Sequence, residues 1–153
     1  MKRYLLICLF STVTLLAFQQ GDILDSQTNQ ALEMEKGKVY IVDFFASWCH
    51  SCKRELPILS KLSQQLDHKR VQLIGVDVDE NEADAKIFQR NLQAEKKLSF
   101  KVINDPDGKI VSHFKPVGIP ALYIIKDEKV IAILIGAKDH INTLILQHIK
   151  DIP

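Results

Sequence analysis

The run Val39-Tyr40-Ile41-Val42-Asp43-Phe44-Phe45, followed shortly by Cys49-His50-Ser51-Cys52, restricts this chain more than any other feature. A near-continuous stretch of β-branched and aromatic residues is the pattern of a strand buried on both faces of a parallel sheet. From Ser51 the pattern turns helical. Leu59, Leu62 and Leu66 recur at i, i+3 and i+7, leaving Lys53, Arg54 and Lys61 for solvent. Pro57 should kink that helix. The two cysteines thus fall where a buried strand ends and a helix begins.

The rest of the chain extends the alternation. Residues 71–78 read as a second strand and 81–92 as a second helix, with Ala83, Ile87 and Phe88 on its apolar face. Residues 100–103 form a brief strand, and Asp105-Pro106-Asp107-Gly108 a turn, because proline presets φ and glycine tolerates positive φ. Residues 121–125 and 130–135 are strands joined as a hairpin through Lys126 to Lys129. Asp139 can cap a last helix whose Ile141, Leu144, Ile145 and Ile149 pack inward. Between Asp22 and Lys38 no clear paired strands appear. The expected architecture is α/β, a central mixed sheet flanked by helices on both faces.

At 153 residues, 46% hydrophobic and 25% charged, the chain can bury a core without disulfide staples or a structural metal. Lysine and arginine outnumber the acids by only 20 to 19, and no basic run is interleaved with aromatics, which argues against nucleic acid as a partner. Residues 1–20 read as a targeting segment: Lys2 and Arg3, an uncharged apolar run from Tyr4 to Phe18, then polar residues. The expectation is a secretory signal peptide or an uncleaved N-terminal membrane anchor, the only membrane contact, with a single domain over 21–153. Cys8 suits lipid attachment poorly, because bulky Ile7 precedes it.

Three cysteines exist, and only Cys49 and Cys52 lie beyond the targeting segment. A structural bridge closing so small a loop contributes little stability. A structural zinc site needs four ligands, yet no second cysteine pair exists and His68, His113, His140 and His148 are dispersed without partner spacing. No metal and no organic cofactor are expected, and redox chemistry is the favoured reading of the pair. At a helix N-terminus the free amide donors and the macrodipole favour the Cys49 thiolate, the nucleophilic form. Cys52, one turn away, is placed to attack a mixed disulfide formed at Cys49. Asp43 interrupts an apolar strand, so burial would raise its pKa and let it relay protons; otherwise it is a solvated strand acid.

On four ordered stretches the sequence resembles the thioredoxin superfamily, and within it the exported TlpA-like and ResA-like thiol-disulfide oxidoreductases. These are Val42-Asp43-Phe44-Phe45; Trp48-Cys49-x-x-Cys52-Lys53-x-Glu55-x-Pro57; Gly75-Val76-Asp77-Val78-Asp79-Glu80; and Val117-Gly118-Ile119-Pro120 before a strand. The resemblance implies a thioredoxin-like fold, a cis bond before Pro120, and a groove where Trp48, Cys49 and the Ile119–Pro120 turn receive an extended polypeptide as an added strand would be received. It also implies that Asp43 deprotonates Cys52, and it assigns Glu80 to a place near the cysteines, although Glu80 also precedes a helix that an acid would cap. His50 and Ser51 stand where thioredoxin has Gly-Pro, positions that tune the reduction potential. A partly protonated His50 beside Cys49 would make the disulfide more oxidising. The implied partners are proteins with cysteines or disulfides and a membrane electron-donor reductase. The implied setting is the bacterial periplasm or the outer face of the cytoplasmic membrane, with apocytochrome c the substrate implied in cytochrome c biogenesis. Oxidation or isomerisation of envelope proteins, and a non-enzymatic peptide-binding module, are the alternatives. Peroxidase chemistry would need Pro and Thr upstream of its cysteine, which Phe45 to Trp48 does not provide.

Overall fold

The computed structural model describes residues 17–152; residues 1–16 of the targeting segment expected over 1–20, with Cys8, lie outside them. Five strands form one mixed sheet in the order β3-β2-β1-β4-β5. They are β1 (Val39–Phe45), β2 (Val71–Asp77), β3 (Lys101–Asn104), β4 (Ala121–Lys126) and β5 (Lys129–Ile135). β1 pairs parallel with β2 and antiparallel with β4, which makes it the central strand and explains why all seven of its residues are buried.

Side chains alternate across a strand, and β1 divides its residues accordingly. Tyr40, Val42 and Phe44 enter a cluster with Leu32, Ile110, Phe114 and Tyr123, under α1 (Ser26–Ala31) and α4 (Lys109–Phe114). Val39 and Ile41 enter a second cluster with Leu59 and Leu62 of α2 (His50–Ser63) and Ile141, Ile145 and Ile149 of α5 (Ile141–Ile149). Phe45 joins a third with Leu56 of α2 and Leu92 of α3 (Glu82–Ala94). Helices thus cover both faces, with Asp43 on the α2 side. Phe18 packs edge-on against Phe114 at 5.1 Å and donates its amide to the Phe114 carbonyl, so the folded body includes it.

Several local expectations are corrected. The buried face of α3 is Ala85 and Leu92 with half-buried Phe88, while Ala83 and Ile87 turn outward. Position relative to the sheet, not apolar identity, sets that face. Asp139 does not cap α5; His140 occupies the N-cap position and makes no side-chain cap bond. α2 carries Pro57 inside its range, where the missing amide removes one helical bond. Two short helices lay below the reach of periodicity. α1 is capped by Asp25, which accepts from the Thr28 amide, and α4 is started by Asp105, which accepts from the amides of Ile110 and Val111. The β4–β5 hairpin turns on Asp127 and Glu128, both with positive φ, as a two-residue turn matching the strand twist requires.

Candidate active site

The site grows out of the end of β1. The chain leaves the sheet at Phe45, turns through Ala46-Ser47-Trp48 with a bond from the Cys49 amide to the Ala46 carbonyl, and enters α2 with Cys49 as its N-cap. Cys49 and Cys52 are joined as a disulfide with their Cα atoms 5.3 Å apart. The Cys52 amide donates to Cys49 Sγ at 3.1 Å, and Ser51 Oγ lies 3.6 Å from the same sulfur. A donor aimed at Cys49 Sγ, together with the helix N-terminus, stabilises negative charge there once the bridge is opened. Cys49 keeps 5% of its surface exposed and Cys52 only 1%, so Cys49 is the sulfur a partner can reach.

The surroundings are apolar below and partly apolar above. Both cysteines belong to the buried cluster of Phe45, Ala46, Leu56, Leu92 and Leu98, against which Ile119 packs. The Ile119–Pro120 peptide bond is cis, with Pro120 buried and Ile119 half-buried. Trp48 and Val117 are large exposed apolar residues, 67% and 84% exposed, on the segments that carry Cys49 and Pro120. His50 is exposed on the first turn of α2.

Two buried acids lie on the strand that precedes the disulfide and on the helix that carries it. Asp43 is 1% exposed and its Oδ1 has no hydrogen-bond partner. Burial pushes its pKa well above the usual carboxylate range, and the nearby charge of Glu55 pushes the same way. Glu55, on α2 one turn after Cys52, is 3% exposed and accepts from the Lys138 amide at 3.2 Å. Burial raises its pKa too, against the lowering effect of that bond and of the Lys138 charge. Sequence reasoning left Glu80 divided between a place near the cysteines and a cap of the following helix. The structure leaves Glu80 exposed next to the α3 N-cap Asn81, whereas Glu55 is the acid coupled to Asp43. The signal lay in the quoted Cys52-Lys53-x-Glu55 block: an acid three residues after a buried helical cysteine lies on the same face.

Asp77 and Asp79, at the end of β2, form a further polar layer. Asp79 accepts from the Ser47 amide at 2.8 Å and from the Ser47 hydroxyl at 3.0 Å. Asp77 accepts from the Asp79 amide and from Gln89, and burial pushes its pKa up to about 6. Among the described residues no cluster of three or more His, Cys, Asp or Glu side chains can hold a metal ion, and no helix is long and apolar enough to cross a membrane.

A mixed sheet with a disulfide between cysteines three positions apart at the N-terminus of the helix after its central strand, and a cis proline just before β4, defines a thioredoxin-like redox domain. The chain belongs to the AhpC/TSA family, whose match spans residues 16–133. It is 32% identical over 102 residues to thiol-disulfide oxidoreductase ResA of Bacillus cereus, covering 66% of this chain and 57% of that protein. It is 26% identical over 93 residues to sporulation thiol-disulfide oxidoreductase A of Bacillus subtilis, covering 61% of this chain and 56% of that one. The chain therefore spans a little over half the length of these curated relatives. Among solved structures, a candidate thiol:disulfide interchange protein DsbE from Chlorobium tepidum superposes with a TM-score of 0.71 at 23% identity, covering 88% of this chain and 97% of the other. StoA from Bacillus subtilis gives 0.64 at 23%, covering 74% and 84%. These likenesses establish the thioredoxin-like fold.

Proposed function

We propose that this chain is an exported thiol-disulfide oxidoreductase that reduces disulfides of other proteins through Cys49 and Cys52. The observation that carries this is the pair itself: a disulfide at a helix N-terminus whose outer sulfur, Cys49 Sγ, receives the Cys52 amide. The relatives' description as thiol-disulfide oxidoreductases agrees with it.

In the reduced protein the Cys49 thiolate attacks one sulfur of a substrate disulfide. The substrate S–S bond breaks, its other sulfur leaves as a thiolate and takes a proton, and Cys49 is joined to the substrate. Cys52 then loses its proton to the Asp43 carboxylate and attacks Cys49 Sγ, displacing the second substrate sulfur. Two electrons have passed to the substrate and the Cys49–Cys52 disulfide is restored. Glu55 beside Asp43 raises the basicity of that carboxylate, which is what a base for a thiol requires. Glu80 is assigned here to the α3 N-terminus, with Glu55 taking the relay position. Trp48, His50, Ile119 and Pro120 form the docking face for an extended chain. A membrane reductase outside the cytoplasm returns the disulfide to the dithiol, and the apolar N-terminal segment that precedes Phe18 targets or anchors the domain there.

Reduction of insulin by dithiothreitol tests the activity. Acceleration by the wild-type chain and none by Cys49→Ser is expected; equal rates would leave only a binding module. Trapping with Cys52→Ala in the native compartment should yield mixed disulfides at Cys49 that name the substrates, and a glutathione titration fixes the direction of electron flow.

A further inference from the structure

The turn that delivers Cys49 to α2 has little to hold it. Its own backbone supplies one bond, Cys49 amide to Ala46 carbonyl, and Trp48 points outward with two thirds of its surface exposed. Among the described residues its one side-chain tie to the sheet runs from Ser47 to Asp79. Both carboxylate oxygens of Asp79 are used there, one by the Ser47 amide and one by the Ser47 hydroxyl, a two-point grip that fixes orientation as well as distance. Asp79 is itself 5% exposed, and its backbone amide is held by Asp77 Oδ1. Asp77 Oδ2 accepts from Gln89 of α3 at 2.7 Å, and the Gln89 amide also reaches Asn104 Oδ1 of β3 at 2.7 Å. A continuous brace thus runs from β3 and α3 through Asp77 and Asp79 to the residue two before Cys49.

We propose that Asp79 is the positioning residue of Cys49: by gripping Ser47 at two points it fixes the Ala46–Cys49 turn, so that Cys49 Sγ stays under the Cys52 amide and Trp48 stays presented to the partner. The brace rests on the redox reading only in naming Cys49 the attacking sulfur. Thiolate stabilisation at a helix N-terminus falls off within a turn, so a turn free to drift weakens it without unfolding anything.

The test separates grip from charge. Asp79→Ala and Asp79→Asn remove the same charge, but asparagine keeps an acceptor for the Ser47 amide. The reduced full-length chain is alkylated with iodoacetamide across pH, and the reaction is followed at Cys49 by mass spectrometry. The midpoint is expected about one pH unit higher in Asp79→Ala than in Asp79→Asn, which is about tenfold slower labelling at any pH well below both midpoints. Trp48 is the sole tryptophan of the chain, so time-resolved fluorescence anisotropy reads the turn directly. Faster local motion of the indole is expected in Asp79→Ala and not in Asp79→Asn. Matching midpoints and matching anisotropy in the two variants would overturn the assignment. Should Asp79→Ala fail to fold, Ser47→Ala deletes one of the two bonds at a half-exposed position. Faster Trp48 motion there supports the brace, and wild-type motion overturns it. Neither readout requires a disulfide substrate, so loss of the brace and loss of the oxidoreductase reading are told apart.

Discussion

Asp43 of β1 and Glu55 of α2 are two buried carboxyls within electrostatic reach of each other, and the charge of Glu55 raises the pKa of Asp43. The strand supplies one acid, and the helix that carries Cys52 supplies the other. Their situations differ. Asp43 has an oxygen with no partner, while Glu55 is held by the Lys138 amide. A buried polar group left without a partner is costly, and Asp43 carries that cost inside the central strand.

Replacing Asp43 by asparagine keeps the shape and removes the base. Resolution, the attack of Cys52 on a mixed disulfide at Cys49, is expected to slow by roughly 10²-fold or more, the range for loss of a general base, while initial attack by Cys49 changes little. Stopped-flow release of a chromophoric thiol from a preformed Cys49 adduct measures the first; equal slowing of both steps would remove Asp43 from the relay.

The same residue sets a pH dependence of stability. Its folded pKa lies well above the unfolded value of about 3.9, so between the two the folded state holds the extra proton. Stability then falls as pH rises through that window, and the cost is fully present above the folded pKa. Asp43→Asn should match wild type below about pH 4 and exceed it at pH 8 by roughly 1–3 kcal/mol. Urea unfolding of the oxidised protein at both values checks this, and a gain confined to acid would reverse the assignment.

Glu55→Gln removes the neighbouring charge that disfavours the Asp43 carboxylate. The Asp43 pKa should drop, because one of its two raising causes is gone, while burial still holds it above normal. Carbon-detected NMR titration of the Asp43 carboxyl gives the midpoint in both proteins. A midpoint unmoved by the substitution would show that the acids do not sense each other.

Much of this was legible in the sequence because it rested on long-range burial and on fixed spacing. β1 is buried on both sides, and its apolar run said so; Cys49 and Cys52 straddle a helix start, and the order of strand and helix placed them there. What stayed hidden depends on contacts that spacing does not encode. Six-residue helices α1 and α4 are too short for a period and are held by Asp25 and Asp105 instead. The face of α3 was misread because Ile87 is apolar yet half exposed. Glu55 and Glu80 both lie in quoted motif stretches, and the burial of Glu55 within reach of Asp43 can be seen only once α2 lies on the sheet.

Gly75 shows how tightly β2 is pressed against the redox cluster. A Cβ there would lie 2.6 Å from Phe45 Cε1, closer than carbon atoms tolerate, and a tight 3.0 Å from Phe100 Cε2. Phe45 shares its cluster with Cys49 and Cys52 and cannot move without disturbing them. Gly75→Ala should cost about 1–3 kcal/mol in urea unfolding through overpacking, and the wild-type stability would show that the ring has room to shift.

Trp48 offers the complementary case, a large side chain whose removal should leave the fold alone. With two thirds of its surface in solvent, truncation to alanine removes little buried area, so stability should stay within about 0.5 kcal/mol of wild type. Its position beside Cys49 makes it a contact for whatever docks over the sulfur. Such a contact is made equally in the bound substrate and in the transition state, because the indole touches no reacting atom. Losing it therefore raises KM and leaves kcat near its wild-type value. Steady-state reduction of a cysteine-bridged peptide by Trp48→Ala should show KM up severalfold at unchanged kcat. A fall in kcat at constant KM would place the indole in the chemistry of exchange instead of in the docking face.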